Sequence, residues 1–210
     1  MTVVGTVQVL RDLAKFSNAG PAPVFSHLHI TDALLLIGDE GPKGRIELSR
    51  QLGLGEGAIR TIIRRLTRAR IIATGGAGCR LTKRGTQLYK RLRSKLSRVA
   101  AVDAGQLSLD KVSAAIVVRA SSRLVKRGVE QRDAALRAGA TGACTLVYRN
   151  GTYLMPMTNE DWKLNPQDSL ARDLNGLFAP RDKDVIIIAS APEKEIAEQG
   201  AMAAALTLVE

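Results

Sequence analysis

RIELSRQLGLGEGAIRTIIR, residues 45–64, has the pattern of a helix-turn-helix. Two helices that cross steeply need a small residue where they touch and a glycine in the turn between them. Ser49 stands at the contact position and Gly53 in the turn, while Leu48, Leu52, Leu54, Ile59 and Ile62 fall where they seal the core between the helices. At about 100° per residue, Ile62, Ile63 and Leu66 lie within about 60° of Ile59 on the second helix. Arg60, Thr61, Arg64, Arg65 and Arg68 take the opposite arc. Such a helix is held by its apolar face while the cationic face enters a DNA major groove, about 12 Å wide. A guanidinium suits that place because its planar fork bonds bidentately to guanine or to phosphate. The plainer alternative is a packing helix whose arginines are only solvated.

Working outward, Ile71–Thr74 and Cys79–Thr82 read as strands around Gly75-Gly76-Ala77-Gly78, with Arg80, Lys83 and Arg84 at the exit. This predicts a wing beside the second helix, clamping the DNA backbone. A nucleotide-binding loop is the rival for these glycines, but the Gly-Lys-Ser/Thr ending is absent and no helix opens directly after them. Upstream, an amphipathic segment Val7–Phe16 meets a helix-stopping stretch over 17–23, followed by a helix Val24–Gly38 and a turn Gly41–Gly44. The helix-turn-helix is then Ile46–Leu52 and Glu56–Ala69. Downstream, Lys83–Val99 reads as a helix whose Leu88, Leu92, Leu96 and Val99 form one stripe, either packed on the first helices or forming a dimer seam. Residues 1–100 are thus expected to be a winged helix-turn-helix domain.

The composition agrees. Of 210 residues, 45% are hydrophobic and 24% charged, which excludes a disordered chain. No apolar run approaches the roughly 18 residues of a membrane span, and the first residues lack a secretory pattern, so a cytoplasmic, membrane-free protein is expected. Cys79 and Cys144 provide neither a disulfide framework nor a four-ligand zinc site. Residues 1–100 carry 18 Lys/Arg and 6 Asp/Glu, whereas residues 101–210 carry 13 and 14, out of a net charge of +11. So uneven a distribution points the basic half at a polyanion, here double-stranded DNA.

Residues 101–112 sit where the charge balance changes and are expected to be a linker. Beyond it, strands Ala114–Ala120, Cys144–Arg149, Thr152–Pro156 and Val185–Ala191 alternate with helices Ser122–Ala138, Pro166–Phe178 and Glu193–Val209. Asn150-Gly151 supplies a tight hairpin turn. The order β-α-β-β-α-β-α makes the chain α+β, with a small, ferredoxin-like α/β sandwich over 113–210 carrying one extra helix. On the helix 122–138, Leu124, Val125, Gly128, Val129, Ala135 and Leu136 share a face with Arg132 at its centre. A guanidinium facing a sheet is costly unless it is paired. Arg132 therefore snorkels to solvent, makes an internal ion pair or, with Thr141 in the loop 139–143, binds a small anionic effector. Gly200, Ala201, Ala204 and Ala205 would permit close helix contact across a homodimer.

Other residues carry less. His27 and His29 face apart, which favours cap or surface roles, and no metal site or cofactor is expected. Trp162 plugs a core edge or lines a pocket, and Cys79 is a packed thiol rather than a redox sensor. The second half has no histidine, and Glu130, Asp133, Asp168 and Asp173 show no pairing, so no catalytic residue is assigned and a non-enzyme is expected.

Four stretches, LGLGEGAIRTIIRRL (52–66), CRLTKRG (79–85), VKRGVEQRDAALRAGATGACTLVYRNG (125–151) and DVIIIASA (184–191), carry a resemblance over about residues 24–209. The chain resembles an uncharacterised archaeal family with an N-terminal winged helix and a C-terminal domain of unknown function. The first two stretches are shared by many winged helices; the last two are more distinctive. The resemblance implies a transcription regulator. The expectation is a DNA-binding transcriptional regulator whose second domain dimerises, senses an effector, or both. The alternatives are a protein-interaction module without DNA affinity, or an enzyme with a regulatory winged helix. Archaeal riboflavin kinases are the specific case of the latter, but their Gly-Thr-Leu-Asn motif is missing and Lys163-Leu164-Asn165-Pro166 only echoes it.

Overall fold

The structure, a computed structural model, describes residues 5–15, 24–156 and 161–209. The chain is α+β: an N-terminal helical region with a β-hairpin, then an antiparallel six-stranded sheet with helices. Two compact units meet between Arg93 and Ser94 rather than across 101–112.

The first unit contains α1 (Thr6–Ala14), α2 (His27–Glu40), α3 (Arg45–Leu52), α4 (Glu56–Arg68), β1 (Ile72–Gly75), β2 (Gly78–Leu81) and α5 (Lys83–Lys95), whose last two residues pass the boundary. The stretch 17–23 and Phe16 lie outside the described residues. α2 begins later than the expected Val24 because Ser26 and His29 cap it reciprocally: Leu28 N–H donates to Ser26 Oγ (3.2 Å) and Ser26 N–H to His29 Nδ1 (3.1 Å). The hairpin gains a third edge where Lys43 and Cys79 exchange backbone hydrogen bonds of 3.0 and 2.8 Å. Gly78 makes this possible. Its φ is +104°, and a Cβ there would stand 2.6 Å from the Lys43 carbonyl oxygen.

The helix expected over Lys83–Val99 stops at Lys95, because the following residues turn to the sheet. Leu96 bridges Val118, and Ser97 exchanges bonds with Val117 through its N–H (3.0 Å) and hydroxyl (2.9 Å). Leu88, Leu92 and Leu96 are buried within the chain, which removes them as a dimer seam.

In the second unit, the segment expected to be a linker holds β3 (Ala100–Val102) and a 3-10 turn at Gly105–Leu107. The sheet continues with β4 (Val112–Val118), β5 (Gly142–Arg149), β6 (Thr152–Met155), β7 (Trp162–Lys163) and β8 (Val185–Ala191), in the spatial order β3-β4-β8-β5-β6-β7. This order overturns the ferredoxin-like expectation. β8 inserts between β4 and β5 and pairs antiparallel with both, so it is the last strand that splits the β-α-β unit. The two-residue turn at Asn150 (φ +50°) and Gly151 (φ +78°) then holds β6 on the remaining edge of β5.

Three helices cover this sheet: α6 (Val129–Arg137), α7 (Ser169–Phe178) and α8 (Lys194–Leu206). α7 packs Leu170, Leu174 and Phe178 on one face, over Ala115, Val117, Leu146, Ile186 and Ile188. α6 and α8 pack together against the sheet, in close contact. A Cβ at Gly200 would meet that of Ala140 at 2.6 Å and that of Ala189 at 3.3 Å. The small residues expected at a dimer contact therefore serve packing within the chain.

That close packing also explains the largest departure in this unit. The expected helix Ser122–Ala138 is broken into a 3-10 turn at Ser122–Leu124 and α6, with Gly128 (φ +74°) between them. Only small or slender residues fit beneath α6, so Gln131, Ala134 and Ala135 are buried while Val129, Arg132 and Leu136 face solvent.

Candidate nucleic-acid interface

The turn between α3 and α4 closes on Gly53, which adopts left-handed φ 62°, ψ 25°. Leu54 N–H donates to Ser49 O (3.2 Å), and the Ser49 hydroxyl donates to the Leu54 carbonyl. Ser49 thus joins the helices as well as fitting between them. Ile59, Ile62 and Leu66 are each 1% exposed, which fixes the inner face of α4, and Leu48 on α3 is buried to the same degree.

On the outer face, Arg60, Arg64 and Arg68 are exposed and make no hydrogen bond or ion pair with any described residue. Thr61 is half-buried and returns its hydroxyl to the Gly57 carbonyl (3.1 Å). Arg65 is different. Its Nη1 donates to the carbonyls of Leu13 (2.7 Å) and Lys15 (3.0 Å), and its guanidinium lies 5.1 Å from the centre of the Phe25 ring. These are carbonyls at the end of α1, where helix groups lack partners and the dipole favours a cation. Arg65 stands on the flank of the arginine arc nearest the core, and so locks α1 to α4 instead of projecting outward.

The hairpin extends the cationic surface. Arg80 on β2 and Lys83 and Arg84 in the first turn of α5 are all exposed. Thr82 Oγ1 caps that helix by accepting from Gly85 N–H (3.1 Å). Two cations and no acid stand at the positive end of the α5 dipole, an arrangement that an anion would relieve. The signal is larger than a division of charge by halves reveals. From Gly57 to Val102 the chain has thirteen Lys/Arg and no Asp/Glu. That run adds the exposed Arg70 and Lys90, which the helix-turn-helix pattern alone does not point to.

Between the start of α3, α4 and the hairpin lies a groove of about 420 Å³, bordered by Ile46, Arg60, Ile63 and Thr74. Ile46 is 73% exposed there. Behind it, Lys43 is held by Glu40 (2.6 Å) and Glu47, whose carboxylates raise its pKa. Cys79 is buried, and burial pushes its thiol up, away from the reactive thiolate.

The remaining candidates fall elsewhere. Arg132 pairs with the adjacent Asp133 (3.0 Å) in solvent, while the Thr141 hydroxyl donates to Asp110. The structure does not unite them in one anion site, since α6 turns Arg132 away from the sheet. Burial lowers the pKa of both His27 and His29. Trp162 packs at the edge of the α7-side core. Among the described residues no group of three or more His, Cys, Asp or Glu is placed to hold a metal, and no helix is long and apolar enough to cross a membrane. Asp184, to which no sequence motif points, is 2% exposed and accepts from Arg119 Nη1 (2.6 Å) and from the N–H groups of Ala120 (2.9 Å) and Arg181 (2.8 Å). An acid opening a β-branched strand was its only mark.

Residues 30–87 match the family described as PH0730-like, N-terminal domain, and residues 109–208 match a domain of unknown function, DUF4443. The chain is similar to the solved structure of the hypothetical protein PH0730 from Pyrococcus horikoshii OT3. The two are 26% identical with a TM-score of 0.69, over 88% of this chain and 92% of that one. No curated protein matches the chain.

Proposed function

We propose that this chain is a DNA-binding transcriptional regulator, in which the first unit is a winged helix-turn-helix and the second dimerises, senses an effector, or both. The observation that carries the reading is the set of exposed arginines on α4, Arg60, Arg64 and Arg68, which have no partner among the described residues and stand opposite the buried Ile59, Ile62 and Leu66. α4 lies in the major groove with these arginines on base edges and phosphates, Thr61 beside them, and Arg65 holding the helix in place. Arg80, Lys83 and Arg84 grip the flanking backbone. A homodimer would set two such helices about 34 Å apart on a near-palindromic site.

The test is fluorescence anisotropy of the full chain on duplex DNA across a salt series. Replacing both Arg60 and Arg64 by Ala flattens the slope of log K against log salt by about 1.8 if each meets a phosphate. Wild-type binding indifferent to salt, or a double variant that keeps both the slope and the affinity of the wild type, overturns the proposal. The exposed Ile46 beside its groove favours a second reading, a protein-interaction module, and absence of any duplex binding would leave that reading standing.

A further inference from the structure

A groove of about 690 Å³ opens in the second unit between α7 and the segment from β3 to the start of β4. Its size is that of ordinary small-molecule sites. Each wall carries one acid and one base: Asp103 and Lys111 on the strand side, Arg172 and Asp173 on the helix side. All four are exposed, and none forms an ion pair with a described residue. The strand wall is firmly built. Ser108 and Ser113 are 3.2 Å apart, Ser113 and Ser190 2.9 Å, and Asp110 takes the Lys111 N–H (2.7 Å) as well as the Thr141 hydroxyl. Lys111 is therefore presented from a fixed backbone.

The helix wall has an independent peculiarity. Gly176 lies inside α7, where glycine weakens a helix relative to alanine, yet a Cβ there would touch nothing within 4 Å. No neighbour in the fold requires the missing side chain. What its absence does is keep the groove open beside Leu177, which is 52% exposed.

We infer that this groove binds an α-amino acid with an apolar side chain. Lys111 and Arg172 take the carboxylate, Asp103 and Asp173 the ammonium, and Leu177 the side chain. A zwitterion complements an acid and a base on both walls at once, which a plain anion or a plain cation does only by half; Asp103 also accepts the Gly105 N–H (3.0 Å), which fixes its carboxylate on the strand wall. The inference does not depend on DNA recognition, because binding is read with no DNA present.

The experiment is a thermal-shift series on the full chain with the proteinogenic amino acids added singly, alongside propionate and ethylamine as half-ligands. At least one apolar amino acid should raise the melting temperature by about 3 °C or more at saturation, with neither half-ligand doing so. Gly176→Met fills the groove with a good helix former in open space, and should abolish the shift; Arg172→Ala, at an exposed position, should abolish it too. Three results each overturn the inference: no shift with any apolar amino acid, a shift that survives either substitution, or an equal shift with propionate or ethylamine alone.

Discussion

Arg119 and Arg60 carry the same side chain into opposite circumstances, one in each unit. Arg119 is bound to a buried carboxylate, Asp184, and to the Phe178 carbonyl (2.9 Å), so its charge is consumed by the fold. Arg60 meets nothing, and neither do Arg64, Arg68, Arg80, Lys83 or Arg84 among the described residues. The first unit does consume some of its cations: Arg65 on the α1 carbonyls, Arg93 on Asp39, Lys43 on Glu40 and Glu47. What remains after those are removed is a one-sided residue of positive charge. Cationic content alone is a weak mark of a candidate nucleic-acid surface; the cations left over after structural pairing, gathered on α4 and the hairpin exit, are what make this face a candidate.

The contrast can be broken most forcefully at Asp184. Asp184→Ala strands the Arg119 guanidinium and two backbone N–H groups, and should cost about 3 kcal/mol of stability, measured by urea titration. A loss under about 1 kcal/mol would place Arg119 with the surplus cations instead. Arg65 sharpens the comparison within the first unit. Arg65→Ala should destabilise by about 2 kcal/mol while leaving the salt dependence of DNA binding unchanged, and the Arg60/Arg64 pair should show the converse. If Arg65→Ala flattened the salt slope without affecting stability, the division between consumed and surplus arginines would be drawn in the wrong place.

The smallest effect concerns pH. Burial lowers the pKa of His27 and His29, so the folded form favours the neutral rings and the unfolded chain takes up protons first. Stability is then complete above the unfolded value of about 6.5 and declines as pH falls through the window beneath it. Between pH 7 and pH 5 the melting temperature should fall by about 2 °C from this source. His29→Gln keeps an acceptor for the Ser26 N–H, and so should melt like wild type at pH 7 but show a shallower acid decline. An identical decline in the variant would assign the effect elsewhere.

Local pattern made the first unit largely readable. The α3–α4 turn, the Gly-rich hairpin and the inner face of α4 depend on residues within a few positions of one another, and sequence spacing reports such contacts directly. The role of Arg65 was hidden because its partners, Leu13 and Lys15, are some fifty positions away. In the second unit the strands near 114–120, 144–149 and 185–191 were legible from their β-branched runs, but their order was not. Pairing of β8 with both β4 and β5 is a long-range choice that leaves no local trace. α6 misled for a physical reason: its bulky residues looked like the core face, but the tight approach to Gly200 admits only small ones. The groove beside α7 was invisible for the same cause as the sheet order, since its walls come from residues about sixty to seventy positions apart.

The place of β8 bears on how the chain is made. As the ribosome releases residues in order, β4 and β5 emerge with the edges they will share with β8 still bare, and they stay so through the synthesis of α7. Only when Val185–Ala191 clears the exit tunnel can the middle of the sheet close, bringing its buried β-branched run into register with both neighbours. A nascent chain halted before that point would present two unsatisfied strand edges, the surface on which aggregates and chaperones alike take hold.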